Sequence, residues 1–438
     1  MAEPGRGCER PRPAPPGRAG RHRRRGVPPA DAGDRHRADR RRVARGRVEP
    51  HQGVLVRARR ATARDRARSA RDRGRARGQR LGEGASVRTL RTDLRRDQRD
   101  PTQRDCRACA RPTEALAVRF AFTDDQLALR DAVRDLLAKE CPPSEVAEAW
   151  TNATGRTTRA WEALRAMGVL DALVPEADGG LGLTVLDLVL VCEEAGRVAL
   201  PEPLVEHAVV AAPVVGAGRE SLTALVGAMS FVAYADTADA VLVQDDDRLL
   251  LVPAPALVLE PEPSVDHARR VFTLDWSASD AAVEVGASVA CAEAIDRATL
   301  GRAAYLLGLA QHLLDATVEY ASTRHQFGAP IGSFQAIKHK LADVRIALEF
   351  ARPLVYRAAS SIVVGDPAAS VHVSMGAAQS IDAALCAARH ALQCHGAIGY
   401  SYEHDLHHWM KRVWTLARAG GDASWHRERV ARAILDRT

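Results

Sequence analysis

Apolar positions set the first reading of the chain. In "FTDDQLALRDAVRDLLAKE" Leu129, Val133, Leu136 and Leu137 recur at helical spacing. Thr123 is placed to cap that helix, with Asp124 and Asp125 in its first turn. Pro142-Pro143 stops it. "TRAWEALRAMGVLDALVPEADGGLGLTVLDLVLVCEEAGRVAL" then reads as helix, loop, helix, with Pro175, Gly179, Gly180 and Gly182 in the loop. The pattern changes over 229–285. There "SFVAYA", "DAVLVQ", "RLLLVPA" and "RRVFTLDW" are short β-type runs, and "VLVQDDDRLLLV" predicts a hairpin turning at Asp245 to Asp247. Four to six strands are expected. From about Ser288 the helical period returns. Leu300, Ala304, Leu307, Leu314, Val318 and Ala321 form one face, Ile337, Leu341, Val344 and Leu348 a second, and "SVHVSMGAAQSIDAALCAARHALQC" a third long helix. Helices apolar on most sides belong inside a bundle or at a subunit interface. The chain is thus α+β and mainly α. It divides into an N-terminal helical domain over 118–225, a small β domain over 226–287 and a C-terminal helical bundle over 288–438.

Composition changes the picture only at the N-terminus. Residues 1–110 hold 33 Arg, no Lys and 13 Asp or Glu, a net charge of +20; the whole-chain value of +7 therefore leaves −13 for the rest. The first aromatic residue is Phe120. Such a segment cannot bury enough apolar surface to offset its ordering entropy, so 1–117 is expected to be disordered. An arginine-rich nucleic-acid arm is one reading. A transit peptide is another, opposed by the acids and by only two serines, Ser69 and Ser86. Translation of GC-rich DNA ahead of the true start, or out of frame, is the reading adopted, and nucleic acid is not expected as a partner. Cys106 and Cys109 form a lone CxxC with no second pair to complete a zinc site, so no metal is expected. Cys141, Cys192, Cys291, Cys386 and Cys394 lie in apolar surroundings and read as buried thiols. No apolar run is long enough to span a membrane and no signal peptide is visible, so a cytoplasmic protein is expected.

Two motifs carry the chemistry. "TRHQFGAPIGSFQ" joins two long helices, and "QCHGAIGYSYEHDLHHWMKR" follows the third. Together with "WEALRAMGVLDALVPEADGGLGL", they resemble the acyl-CoA dehydrogenase family over roughly 118–438. The resemblance implies an N-terminal helical domain, a β domain that is here a reduced barrel, and a C-terminal four-helix bundle. It implies FAD as cofactor, an acyl-CoA substrate and an electron-transfer flavoprotein as acceptor. A dinucleotide pyrophosphate suits the planar, bidentate donor that Arg324 offers. Gln326, Phe327 and Gln335 fall at further cofactor contacts of the family. Gly328 and Gly332 allow the close turn. Gln393, Gly396 and Ala397 match the strip that one subunit offers to the FAD of its neighbour, so oligomerisation is implied. Each residue also has a plainer reading: Arg324 as a helix C-cap, His339 and His395 as structural histidines, and His404, His407 and His408 as a solvated helix face rather than a metal site.

The chain departs from the family where the reaction needs a base. The family's glutamate, which removes the α-proton, falls at Gly421 in most members and at Ala298 in others; neither is acidic here. Asp422 is the neighbouring carboxylate. The β segments that pack on the flavin ring are missing, and in the CoA-associated "D-x-x-R" Asp296 is kept while Thr299 replaces the arginine. These losses resemble the short partner subunits of heteromeric actinobacterial dehydrogenases acting on steroid thioesters. The expectation is an FAD-dependent acyl-CoA dehydrogenase subunit that lacks the base and works with a second dehydrogenase-like chain. The alternatives are a self-sufficient enzyme with Asp422 as base, and a degenerate binding or scaffold protein without flavin.

Overall fold

The computed structural model describes residues 121–276 and 281–435. The expectations for 1–117, including Cys106 and Cys109, lie outside the described residues.

Thr123 caps α1 (Asp124–Glu140) as its position predicts. Its Oγ1 accepts from the Gln126 N–H at 3.3 Å, and the Gln126 side chain accepts from the Thr123 N–H at 2.9 Å. Pro143 opens α2 (Pro143–Thr151) at N1, where its missing N–H costs nothing. Next come α3 (Thr158–Ala166) and α4 (Val185–Arg197). A π-helical turn over Val205–Ala211 leads into the short α5 (Ala212–Val215).

Seven strands follow: β1 (Leu222–Leu225), β2 (Val232–Ala233), β3 (Ala240–Asp245), β4 (Arg248–Pro253), β5 (Val258–Glu262), β6 (Val271–Asp275) and β7 (Val283–Gly286). β1 begins ahead of residue 226, because the four-residue run "LTAL" is too short to display a period. The strands form two small sheets, ordered β1-β3-β4-β7 and β2-β6-β5, and no barrel closes among the described residues. Asp245 pairs with Arg248 across the expected hairpin, and Asp246 takes the positive φ (53°) that a two-residue turn demands.

The C-terminal part is α6 (Ser288–Thr323), the two-residue strands β8 (His325–Gln326) and β9 (Ala329–Pro330), α7 (Gln335–Val363), α8 (Ala369–His395), α9 (Leu406–Leu416) and α10 (Ala423–Leu435). α6, α7 and α8 run up, down and up, so the C-terminal ends of α6 and α8 share one end of the bundle with the N-terminus of α7. α4 lies across α6 with backbone touching backbone. A side chain at Gly196 would strike the Tyr305 carbonyl, and one at Gly308 would strike that of Glu193. A single core therefore runs through the N-terminal helices and the bundle. Buried Glu193 of α4 binds Arg352 (3.1 Å) and the Tyr356 hydroxyl (2.7 Å) of α7, and Glu194 binds Arg134 of α1. Paired in this way, the two carboxylates tie three helices together rather than opposing burial.

Candidate functional site

The first motif occupies the end of α6. Its last turn closes with the Arg324 N–H donating to the Tyr320 carbonyl at 2.8 Å. The chain then reverses through a two-residue hairpin, β8 to β9, with Phe327 (φ 54°) and Gly328 (φ 79°) both in the left-handed region. Both central residues of a type I′ turn need that conformation; Gly328 adopts it freely, whereas Phe327 is strained. Gly332 has a different role: a Cβ there would come within 3.0 Å of the Ala321 carbonyl, so the segment lies directly on α6. Arg324, Gln326, Phe327 and Gln335 all face solvent, and Phe327 is 95 % exposed. Among the described residues the Arg324 guanidinium has no ion pair or hydrogen-bond partner.

The second motif ends α8 beside the first. The ring of buried His395 stacks on Tyr320, with centroids 4.2 Å apart and planes 20° apart, one turn before Arg324. His395 Nδ1 lies 2.8 Å from the Ala391 carbonyl, while its Nε2 is buried without a partner among the described residues. Gly396 leaves the helix at φ 66°, and a Cβ there would meet nothing within 4 Å. Gln393, Gly396 and Ala397 are exposed. The Tyr320–His395 stack thus joins both motifs in one chain, a link that neither motif displays alone.

The loop that carries Gly421 packs against α6. Ala298 and Arg302 are one turn apart on α6, both buried. A side chain at Gly420 would strike the Arg302 guanidinium, and one at Gly421 (φ 107°) would strike the Trp425 indole. A side chain at Gly421 has no room beside Trp425, and Ala298 is packed in an apolar cluster with Leu222, Leu249 and Ala294. Asp422 is engaged as a cap. Its Oδ1 accepts from the Trp425 N–H at 2.9 Å, and those backbone donors hold its carboxyl below the usual range.

Around Arg302 lies a buried polar network. Arg412 is ion-paired with Asp266, both fully enclosed, and donates to the Leu200 carbonyl and the Tyr305 hydroxyl. Arg269 pairs with Glu206 at 3.2 Å and Arg156 with Glu202 at 2.6 Å. Sequence reasoning missed this centre. Its one visible signal is an arginine at 302 amid "TLGRAAYLLGLA", where the helix is otherwise apolar. Asp296 also points inward and binds Ser370. The histidine face of α9 is corrected: His407 and His408 are buried against Trp150 of α2 (5.1 and 4.8 Å) rather than solvated. Burial pulls His408 down to about 3. No group of side chains suited to a metal exists among the described residues.

Residues 123–224 match the family model "Acyl-CoA dehydrogenase, N-terminal domain", and residues 286–435 match "Acyl-CoA dehydrogenase, C-terminal domain". The chain belongs to the acyl-CoA dehydrogenase family. Members of this family are oxidoreductases acting on CH–CH groups. The acyl-CoA dehydrogenase IpdE2 of Mycolicibacterium smegmatis is 30 % identical over 306 residues, covering 67 % of this chain and 93 % of that protein. Its namesake from Mycobacterium tuberculosis is 29 % identical over 304 residues, covering 66 % and 91 %. Among solved structures, the ChsE4-ChsE5 complex of Mycobacterium tuberculosis matches with a TM-score of 0.67 at 26 % identity, covering 73 % of this chain and 99 % of that chain. Both family models lie within the residues described above. No helix among the described residues is long and apolar enough to cross a membrane.

Proposed function

We propose that this chain is the base-lacking partner subunit of a heteromeric, FAD-dependent acyl-CoA dehydrogenase. The observation that carries the reading is the packing at both base positions: Trp425 covers Gly421, and Ala298 is enclosed in an apolar cluster with Leu222 and Ala294. A glutamate supplied by the second chain then removes the α-proton. The similarity to one chain of the ChsE4-ChsE5 complex supports such a pairing.

The residues present fit FAD. An exposed guanidinium without a partner at Arg324, a buried acceptor without a donor at His395 Nε2 and open space at Gly396 all lie at one end of the bundle. Arg324 would bind the pyrophosphate, with Gln326, Phe327 and Gln335 beside it. Gln393, Gly396 and Ala397 would face the flavin of the neighbouring chain. When bound, FAD supplies the acceptor for the hydride leaving the β-carbon. The chain's own part is to bind, orient and keep water away. A steroid-type thioester as substrate and an electron-transfer flavoprotein as acceptor follow from the resemblance to heteromeric dehydrogenases.

Asp422 is the less favoured base, because its carboxylate already caps α10 and is held in a weakly basic state. The test is to purify the chain alone and together with its partner dehydrogenase chain, reading flavin absorbance and enoyl-CoA formation in each. Flavin and turnover in the complex only, unchanged by Asp422→Ala, support the proposal. A lone chain that is yellow and turns over, and loses turnover in Asp422→Ala, overturns it.

A further inference from the structure

Arg302 lines a cavity of about 20 Å³ together with Tyr234, Arg269, Arg412, Glu202 and Glu206. That volume holds one particle the size of a water molecule. The charges around it do not balance. Four enclosed cations, Arg156, Arg269, Arg302 and Arg412, face three carboxylates, and each carboxylate is already engaged: Glu202 with Arg156, Glu206 with Arg269 and Asp266 with Arg412. Arg302 is left with only the Met229 Sδ (3.6 Å) and the Thr299 Oγ1 (3.5 Å), both at the edge of hydrogen-bond range.

A second donor faces the same cavity. The Tyr234 side chain is 2 % exposed and lines the cavity. Burial pushes that phenol up to about 12, so it keeps its proton and donates. Tyr305 cannot serve in the same way, because its hydroxyl donates to the Leu200 carbonyl and accepts from Arg412. The same burial lifts the Glu202 carboxyl to about 7, which widens the excess of positive charge.

We propose that this cavity is a binding site for one monoatomic anion of the chloride class, held by the Arg302 guanidinium and the Tyr234 hydroxyl. Such an ion supplies the fourth negative charge of the cluster. A water molecule would satisfy the hydrogen bonds but leave a buried cation uncompensated, which is the costlier state. A sulfate, a phosphate or a carboxylate is too large for the space. The site is independent of the flavin reading: it serves the stability of the centre.

The experiment compares thermal unfolding of the full chain in sodium chloride and in sodium gluconate at equal ionic strength. The expected midpoint is higher in chloride by roughly 2–3 °C once chloride exceeds its dissociation constant about tenfold. Arg302→Met removes that difference, and Tyr234→Phe reduces it. Equal midpoints in the two salts overturn the proposal, as does a chloride effect that survives in Arg302→Met. If Arg302→Met does not fold, crystals of the unaltered protein grown in bromide decide the matter. An anomalous peak beside Arg302 supports the site and its absence refutes it.

Discussion

At the Arg324 end of α6 the polar side chains of the motif face solvent, whereas about six turns earlier on the same helix Ala298, Arg302 and Tyr305 are buried. The outer end keeps unpartnered donors and an aromatic ring on a strained turn, features that cost stability and suit a ligand. The middle has paired most of its polar groups with one another, Arg302 excepted. Arg412, Asp266, Tyr305 and the Leu200 carbonyl form a closed set, and Trp425 leaves no room for a side chain at Gly421. One helix thus carries an open half-site and a sealed one. The difference is that the outer end stays open to a ligand, whereas a side chain added at Gly420 or Gly421 meets Arg302 or Trp425.

Four measurements break or sharpen that contrast. Among the substitutions Asp266→Asn should have the largest effect, because it leaves Arg412 buried without its counter-charge. A loss of about 3–5 kcal/mol in urea unfolding is expected, against almost none for Arg324→Gln at the open end. Next comes acid. Burial pulls His207, His312 and His426 down to about 4 and His408 to about 3. The unfolded chain therefore binds more protons between pH of about 6.5 and about 4, and stability falls with pH throughout that window by up to about 1.4 kcal/mol per unit for each histidine. Glu202, raised to about 7, and Asp171, Asp236 and Asp296, also raised by burial, have the opposite sign, but burial lowers seven histidines in all. A stability that stays flat from pH 7 to 5 would show that the buried histidines are not neutral.

Third, Gly421→Glu should fail to create a lone-chain enzyme. The positive φ and the contact with Trp425 should cost about 1–3 kcal/mol, and enoyl-CoA formation by the isolated chain should stay at background. Turnover gained by this single change would mean that the centre is less closed than its packing indicates. Fourth, Arg324→Gln should leave unfolding within about 0.5 kcal/mol. It should weaken flavin retention in the complex by about tenfold or more, the size of a lost charge-assisted hydrogen bond.

Much of the open half was legible beforehand. Thr123 announced its helix through capping chemistry, and the Asp245–Arg248 hairpin announced itself through three acids between two apolar runs. The turn at Arg324 stood out because its Arg, Gln, Phe and glycines exceed what a connecting loop needs. The sealed half was not legible. Asp266 lies in a segment without periodicity, and Arg412 sits in a helix where it reads as a surface charge. His407 and His408 look like a solvated face until Trp150 of a distant helix covers them.

What the sequence determined by itself is therefore local: element type, turn chemistry and the exposed motif residues, all of which depend on neighbours a few positions away. Which charges are buried, what pairs with them and what packs against Gly421 were decided only by the tertiary structure. The reason is physical. Ion pairing and desolvation depend on distance in space, and Arg412 and Asp266 are 146 residues apart in the chain yet in contact in the fold.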